Sequence, residues 1–325
     1  MTSPHPPFLD LVDLASERLG GAAVAANDEF FAPKENLIKA AAPVWREGEY
    51  TERGKWMDGW ETRRLREPRV EPYDWCIVRL GVPGIVRGVD VDTAFFTGNY
   101  PEACAIDACA LAGLLTAGEL AGAVWRELLP QTRLNGGSHN LIAIDAGARA
   151  THLRLRIFPD GGVARLRVYG DAIADWARLR LRGDVDLAAA AHGGMVVGCS
   201  DMFYGSRHNL IMPGDATHMG DGWETRRRRG PGHDWTIVRL GAAGTIRRIE
   251  VDTRYFKGNA PGACSLEGSA DAASWRELLP QTKLQPHARH EFEAELLAIG
   301  DVTHVRFNIF PDGGVGRLRL FGRPR

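Results

Sequence analysis

Thr151-His-Leu-Arg-Leu-Arg-Ile-Phe-Pro-Asp-Gly-Gly162 opens on alternating polar and apolar residues and stops at Pro-Asp-Gly-Gly. The alternation resumes at Arg165-Leu-Arg-Val-Tyr169. Period two with one apolar face is the pattern of a strand that buries one side. Proline followed by Asp-Gly is a strong turn signal, because it presets φ and then tolerates φ > 0. The same text returns as Thr303-His-Val-Arg-Phe-Asn-Ile-Phe-Pro-Asp-Gly-Gly314 and Arg317-Leu-Arg-Leu-Phe321. The decisive stretch is therefore β in character, and it occurs twice.

Working outward, Asp58-Gly-Trp-Glu-Thr-Arg-Arg64 recurs as Asp221-Gly-Trp-Glu-Thr-Arg-Arg227. Trp125-Arg-Glu-Leu-Leu-Pro-Gln-Thr132 recurs as Trp275-Arg-Glu-Leu-Leu-Pro-Gln-Thr282. A period this long marks a duplicated domain rather than a solenoid. The repeats run over 10–170 and 183–322. This predicts domains at 1–170 and 183–325, joined by an ordered connector over 171–182. Stretches near 38–57 and 105–124 belong to the first repeat only, and insertions between motifs read as loops. Asp74–Leu80 and Val86–Val91 flank Gly81-Val-Pro-Gly84 like the arms of a hairpin. Leu9–Leu19 and Val185–Ala191 are the short helix candidates, each ending at a glycine pair that can cap it. Many short strands with regular turns predict an all-β chain of two tandem jelly-roll β-sandwiches.

The 325 residues suit about two domains. Net charge is −1 and the pI about 6.8, so there is no basic field for nucleic acid or an anionic membrane. No apolar run reads as a signal peptide or a bilayer span, and a cytoplasmic protein is expected. The five cysteines, Cys76, Cys104, Cys109, Cys199 and Cys264, are odd in number and lack CxxC spacing. They read as reduced, mostly buried thiols rather than disulfides or a zinc site. Gly48–Lys55 mimics a phosphate loop, but with the wrong length and Trp56 in place of Ser/Thr.

The shared motifs, together with Val91-Asp-Thr93 and Gly98-Asn99 (again at Val251-Asp-Thr253 and Gly258-Asn259), resemble the allantoicase family over nearly the whole chain. The resemblance implies two galactose-binding-like jelly rolls, subunits that assemble into a homo-oligomer, and hydrolysis of allantoate to ureidoglycolate and urea. A related ureidohydrolase acting on ureidoglycolate, or a non-catalytic binding module, are the alternatives.

Allantoate carries a carboxylate and two ureido arms on one carbon. Its site needs a cation, polar partners for the ureas, and acid–base groups. Arg63, Arg64, Arg226 and Arg227 can supply a planar fork for the carboxylate, though a solvated arginine run is the plainer use. Asp92, Thr93 and Asn99, with Asp252, Thr253 and Asn259, sit where a strand ends in a Gly-Asn loop. They are candidates for the site mouth or for turn structure. Glu61 and Glu224 are acid–base candidates, with an ion pair to neighbouring arginines as the structural alternative. His152 and His304 lie on strands, and His139 aligns with His290 if one gap residue is allowed. All four are candidate acids or bases. Asp58 and Asp221 read as turn caps, and Trp60 and Trp223 as core anchors. Two histidines with Asp160 or Asp312 leave a divalent cation such as manganese open, but no ligand spacing supports a metal site.

Overall fold

The computed structural model describes residues 6–66, 71–111, 113, 115–145 and 149–325. It divides into two compact units, Met1–Ala172 and Ile173–Arg325. The first contains β1 (Val12–Asp13), β2 (Ala22–Ala26), β3 (Tyr50–Thr51), β4 (Gly54–Lys55), β5 (Trp60–Glu61), β6 (Asp74–Asp92), β7 (Ala103–Cys109), β8 (Arg126–Arg133), β9 (His139–Ala143), β10 (Arg149–Phe158), β11 (Gly162–Val163) and β12 (Arg165–Ala172). One short helix, α1 (Ala117–Ala121), precedes β8. The second opens with α2 (Trp176–Arg180). It continues with β13 (Val185–Asp186), β14 (Met195–Cys199), β15 (Trp223–Glu224), β16 (Asp234–Asp252), β17 (Ala263–Ser269), β18 (Arg276–Lys283), β19 (Arg289–Phe292), β20 (Val302–Phe310), β21 (Gly314–Val315) and β22 (Arg317–Pro324).

Each unit is an antiparallel jelly-roll sandwich built around one long strand. The first half of β6 pairs with β2 and β10, and its second half pairs with β9 and β12. β7 and β8 extend the first layer and β1 the second, giving the order β1-β12-β6-β10-β7-β8. β16 does the same in the second unit. Inward residues of both layers, among them Cys76, Val78, Val89, Val91, Ile106, Leu153, Leu155, Leu166 and Val168, form one buried core.

The hairpin expected at Gly81-Val-Pro-Gly84 is instead a bend inside β6. Neither glycine has a positive φ. A Cβ on Gly81 would stand 2.5 Å from the Leu19 carbonyl oxygen, and one on Gly84 2.6 Å from that of Asp171. Glycine here admits a neighbouring backbone, and the strand passes from one layer to the other. The helices expected at Leu9–Leu19 and Val185–Ala191 are likewise absent. Those segments hold single 3-10 turns and a strand that pairs with β12 or β22. The glycine pairs do cap the turns, with Gly20 at φ 89° and Gly193 at φ 88°.

The ten-residue difference after β7 holds α1, opened by a capping box between Thr116 and Glu119. The earlier one holds the β3–β4 hairpin. A buried ion pair anchors the Asp-Gly-Trp motif in both units, Arg165 Nη2 to Asp58 Oδ2 at 2.8 Å and Arg317 Nη2 to Asp221 Oδ2 at 3.0 Å. These aspartates are thus more than turn caps. Burial works against ionised Asp58, but Arg165 and the Val44 amide hold its carboxyl below the ordinary value. Trp60 and Trp223 are fully buried, each indole N–H donating to a carbonyl, Asp28 or Asp201, at 2.8 Å.

Candidate active site

The motif strand β5 pairs with β11 at the turn end of the sandwich, Glu61 opposite Gly162. That register brings Glu61 against the loop after β6, where Asn99 Nδ2 donates to Glu61 Oε1 at 2.7 Å. Burial raises the Glu61 carboxyl, and the hydrogen bond from Asn99 only partly opposes it. A half-buried carboxyl that keeps its proton to higher pH than a free one is the better proton donor. The contact is duplicated: Asn259 Nδ2 donates to Glu224 Oε1 in the second unit.

The same rim carries His139, the first residue of β9, opposite Asp92 at the end of β6. Its Nδ1 lies 2.7 Å from Asp90 Oδ2 and 3.9 Å from Asp92 Oδ2, and its ring is 67 % exposed. Burial alone would lower the His139 pKa, but the Asp90 hydrogen bond and the charges of Asp90 and Asp92 outweigh it and raise the value. Asp90 is itself raised, first by its own burial, against the pull of His139. Thr93 and Thr253 are fully buried. Their hydroxyls donate to Asn135 O and Gln285 O at 2.6 and 2.7 Å and fasten the loops before β9 and β19.

The arginines divide. Arg63 Nε bonds Asp28 Oδ2 at 2.7 Å and its guanidinium stacks 5.0 Å over Phe30. Arg226 repeats this with Asp201 at 3.2 Å and Phe203 at 4.7 Å. Arg64 and Arg227 are exposed, with no ion pair among the described residues.

The histidine equivalences change. Asp92 faces His139 but Asp252 faces Arg289, and Val91 faces Asn140 where Val251 faces His290. His290 therefore replaces Asn140, not His139. Asn140 accepts from the Asn135 amide and donates to Val91 O, whereas His290 accepts from the Gln285 amide at 2.8 Å and donates to Val251 O at 3.1 Å. Both nitrogens of His290 are committed to backbone, which makes it a loop brace. His152 and His304 are also apart from the rim. His152 faces Arg79 on β6, and roughly 17 Å of strand separates it from Ile157, beyond which the turn reaches Glu61. Its Nδ1 lies 2.9 Å from Thr151 Oγ1, as that of His304 does from Thr303 Oγ1. Burial, then Arg79 or Arg239, lowers both pKa values.

In the second unit the place of the titratable His139 is taken by fixed charge. Arg254 bonds Asp252 at 2.6 Å and Asp215 at 2.9 Å, and Arg289 bonds Asp215.

Further contributors escaped the sequence reading. Asp90 orients His139. Phe95 and its counterpart Tyr255 hold positive φ, 69° and 71°, while 40 % exposed on the loops that carry Asn99 and Asn259. Bulky residues persist in that region only where the surroundings impose it, often at binding sites. Trp45, in the first-repeat insertion, places its ring 5.8 Å from Phe95, with Lys55 Nζ 3.9 Å over the indole. The restriction of that insertion to one repeat was the available signal.

Among the described residues no three His, Cys, Asp or Glu side chains converge as metal ligands. Burial pushes the Cys104 and Cys264 thiols up to about 12, so neither is a thiolate nucleophile near neutral pH. Among the described residues no helix is long and apolar enough to cross a membrane.

The fold and rim define a duplicated β-sandwich protein with a carboxyl–amide pair at the same end of each unit. A family profile described as the allantoicase repeat matches residues 12–173 and 185–325. A probable allantoicase of Pseudomonas aeruginosa (strain UCBPP-PA14) is 50% identical, covering 100% of this chain and 99% of its own length. One from Photobacterium profundum is 48% identical, covering 97% of each. The crystal structure of allantoicase from Saccharomyces cerevisiae matches with a TM-score of 0.81 at 37% identity, covering 96% of this chain and 92% of that one. The chain belongs to the allantoicase family.

Proposed function

We propose that the chain hydrolyses allantoate to ureidoglycolate and urea at the rim of the first unit, with Glu61 as the proton-transfer group. The observation that carries this reading is the Asn99–Glu61 contact, which joins two motifs far apart in sequence around a carboxyl raised by burial. Neutral Glu61 protonates the ureido nitrogen whose bond to the central carbon breaks. The nitrogen of the remaining arm supports the electron-poor carbon as urea leaves. The Glu61 carboxylate then takes a proton from the water whose oxygen bonds to that carbon, and the site is regenerated. Asn99 fixes the direction of the carboxyl. Arg64, three residues along and free of other ion pairs among the described residues, receives the substrate carboxylate, because Arg63 is committed to Asp28. His139, whose pKa Asp90 raises against burial, favours positive charge at the rim. Trp45 and Phe95 form an apolar wall.

The test uses chelator-treated protein incubated with allantoate, with and without manganese, following urea and ureidoglycolate. Equal yields of the two products without metal support the reading. No urea in either condition overturns it. The expected cytoplasmic location and closed homo-oligomer belong to the same proposal, and sedimentation of the purified chain tests the latter.

A further inference from the structure

On the face turned from the core, β7, β8 and β10 carry charged and aromatic side chains, and so does the matching face of β17, β18 and β20. The two patches differ most at one position. In the first unit it is Arg156. Its Nη2 donates to Asp107 Oδ1 at 2.9 Å and lies 3.5 Å from Glu127 Oε2, and its guanidinium stands 5.5 Å over the Tyr73 ring. Arg154 holds the other oxygen of Asp107 at 2.8 Å. In the second unit the position is Asn308. It faces Trp235 and Ser265 as Arg156 faces Trp75 and Ala105.

The surroundings are kept in kind. Glu267 stands for Asp107, Glu277 for Glu127, Arg306 for Arg154 and His233 for Tyr73. Two carboxylates that share two arginines in the first unit thus have one in the second. Arg306 is 3.3 Å from Glu267 and 4.3 Å over Trp275. Glu277 is exposed and makes no ion pair among the described residues. Where Arg156 stands in the first unit, the second has an open cavity of about 660 Å³ lined by Trp235, His233, Glu267, Glu277, Arg306 and Asn308, with Asn308 Nδ2 donating to Glu267 Oε2 at 3.2 Å.

We propose that this cavity binds a small monosubstituted guanidinium cation, its N–H groups on Glu267 and Glu277 and its plane beside the ring at position 233. The precedent is internal, since the equivalent residues already enclose a guanidinium in the first unit. A planar cation satisfies both carboxylates at once, whereas an anion meets two carboxylates against the single guanidinium of Arg306. The cavity shares no lining residue with the Glu61 rim.

The whole chain, labelled with fluorotryptophan, is titrated with methylguanidinium chloride at low ionic strength and followed by fluorine NMR. The Trp235 and Trp275 resonances are expected to move and saturate at about millimolar concentration, while those of Trp75 and Trp125 stay. N308R supplies the guanidinium covalently and abolishes the response. R156N opens the first-unit space, so Trp75 and Trp125 begin to respond. Glu277→Gln leaves the cavity intact and weakens binding about threefold, which keeps the test decisive if N308R does not fold. Allantoate hydrolysis is unchanged in N308R. A shift that never saturates, that survives N308R, or that methylurea reproduces at equal concentration overturns the proposal. So does dissociation of an assembly in N308R, which would give the cavity to an arginine of a second copy.

Discussion

The two rims are built on the same strands and end in different electrostatics. In the first unit, β6 ends in Asp90 and Asp92 facing an exposed histidine, and an inserted hairpin brings Trp45 over the loop. In the second, Asp252 is neutralised by Arg254 and Arg289 with Asp215 between them. One rim can change charge near neutral pH, and the other holds permanent charges in a salt-bridge cluster. Duplication preserved the carboxyl–amide pair in both. The difference teaches that the pair alone does not make the sites equivalent.

The largest effect expected from this comparison is on turnover. Glu61→Gln should lower kcat by about 10²–10⁴-fold, the usual worth of a general acid–base group, whereas Glu224→Gln should leave it within about tenfold of the parent. Equal losses would erase the asymmetry. Because burial raises the Glu61 carboxyl, its neutral form is favoured in the fold. The stabilisation it contributes is present at low pH and is lost as pH rises through the raised value. Glu61→Gln should therefore melt no lower than the parent at neutral pH, which separates lost chemistry from lost structure.

What the units share can be probed next. Asp58→Ala or Asp221→Ala strands a buried arginine and should destabilise its unit by about 3–5 kcal/mol, read by urea denaturation. A large difference between the two would show that the anchors are not equivalent.

The pH profile sharpens the contrast further. Folding raises the His139 pKa because Asp90 and Asp92 outweigh burial. The associated stability is present below the ordinary histidine value and lost as pH rises through the raised one. D90N should shift the alkaline limb of kcat/KM to lower pH, and H139Q should remove that limb. No such limb is expected from Arg289. A smaller effect is expected from Trp45→Ala, which removes an aromatic contact and should raise KM about three- to tenfold, on the order of 1 kcal/mol. Least of all, His152→Asn and His304→Asn should leave kcat within about twofold, because these residues lie far along the strands from the rim. A larger loss would place a second reactive centre there.

The legible part of the site was the part carried by short range. Glu61, Arg63, Asn99 and their repeats lie in motifs whose spacing is preserved, so they could be named as candidates before any contact was known. Their roles could not. Arg63 and Arg64 are adjacent and chemically identical, yet one is locked on Asp28 and the other is not. Thr93 looked like a loop residue and is a buried fastener. His139 and His290 seemed paired by a one-residue gap, and only the cross-strand register shows that His290 replaces Asn140.

By itself the sequence determined that this chain is a duplicated all-β protein, because period-two burial and turn chemistry are local and are written twice. Its long motifs also sufficed for the family. Only the tertiary structure decided that β6 is one bent strand shared by two layers, that Glu61 meets Asn99, and that the two rims differ in charge. Those facts depend on register and on backbones passing within a few ångströms of each other, and neither is encoded at fixed spacing along the chain.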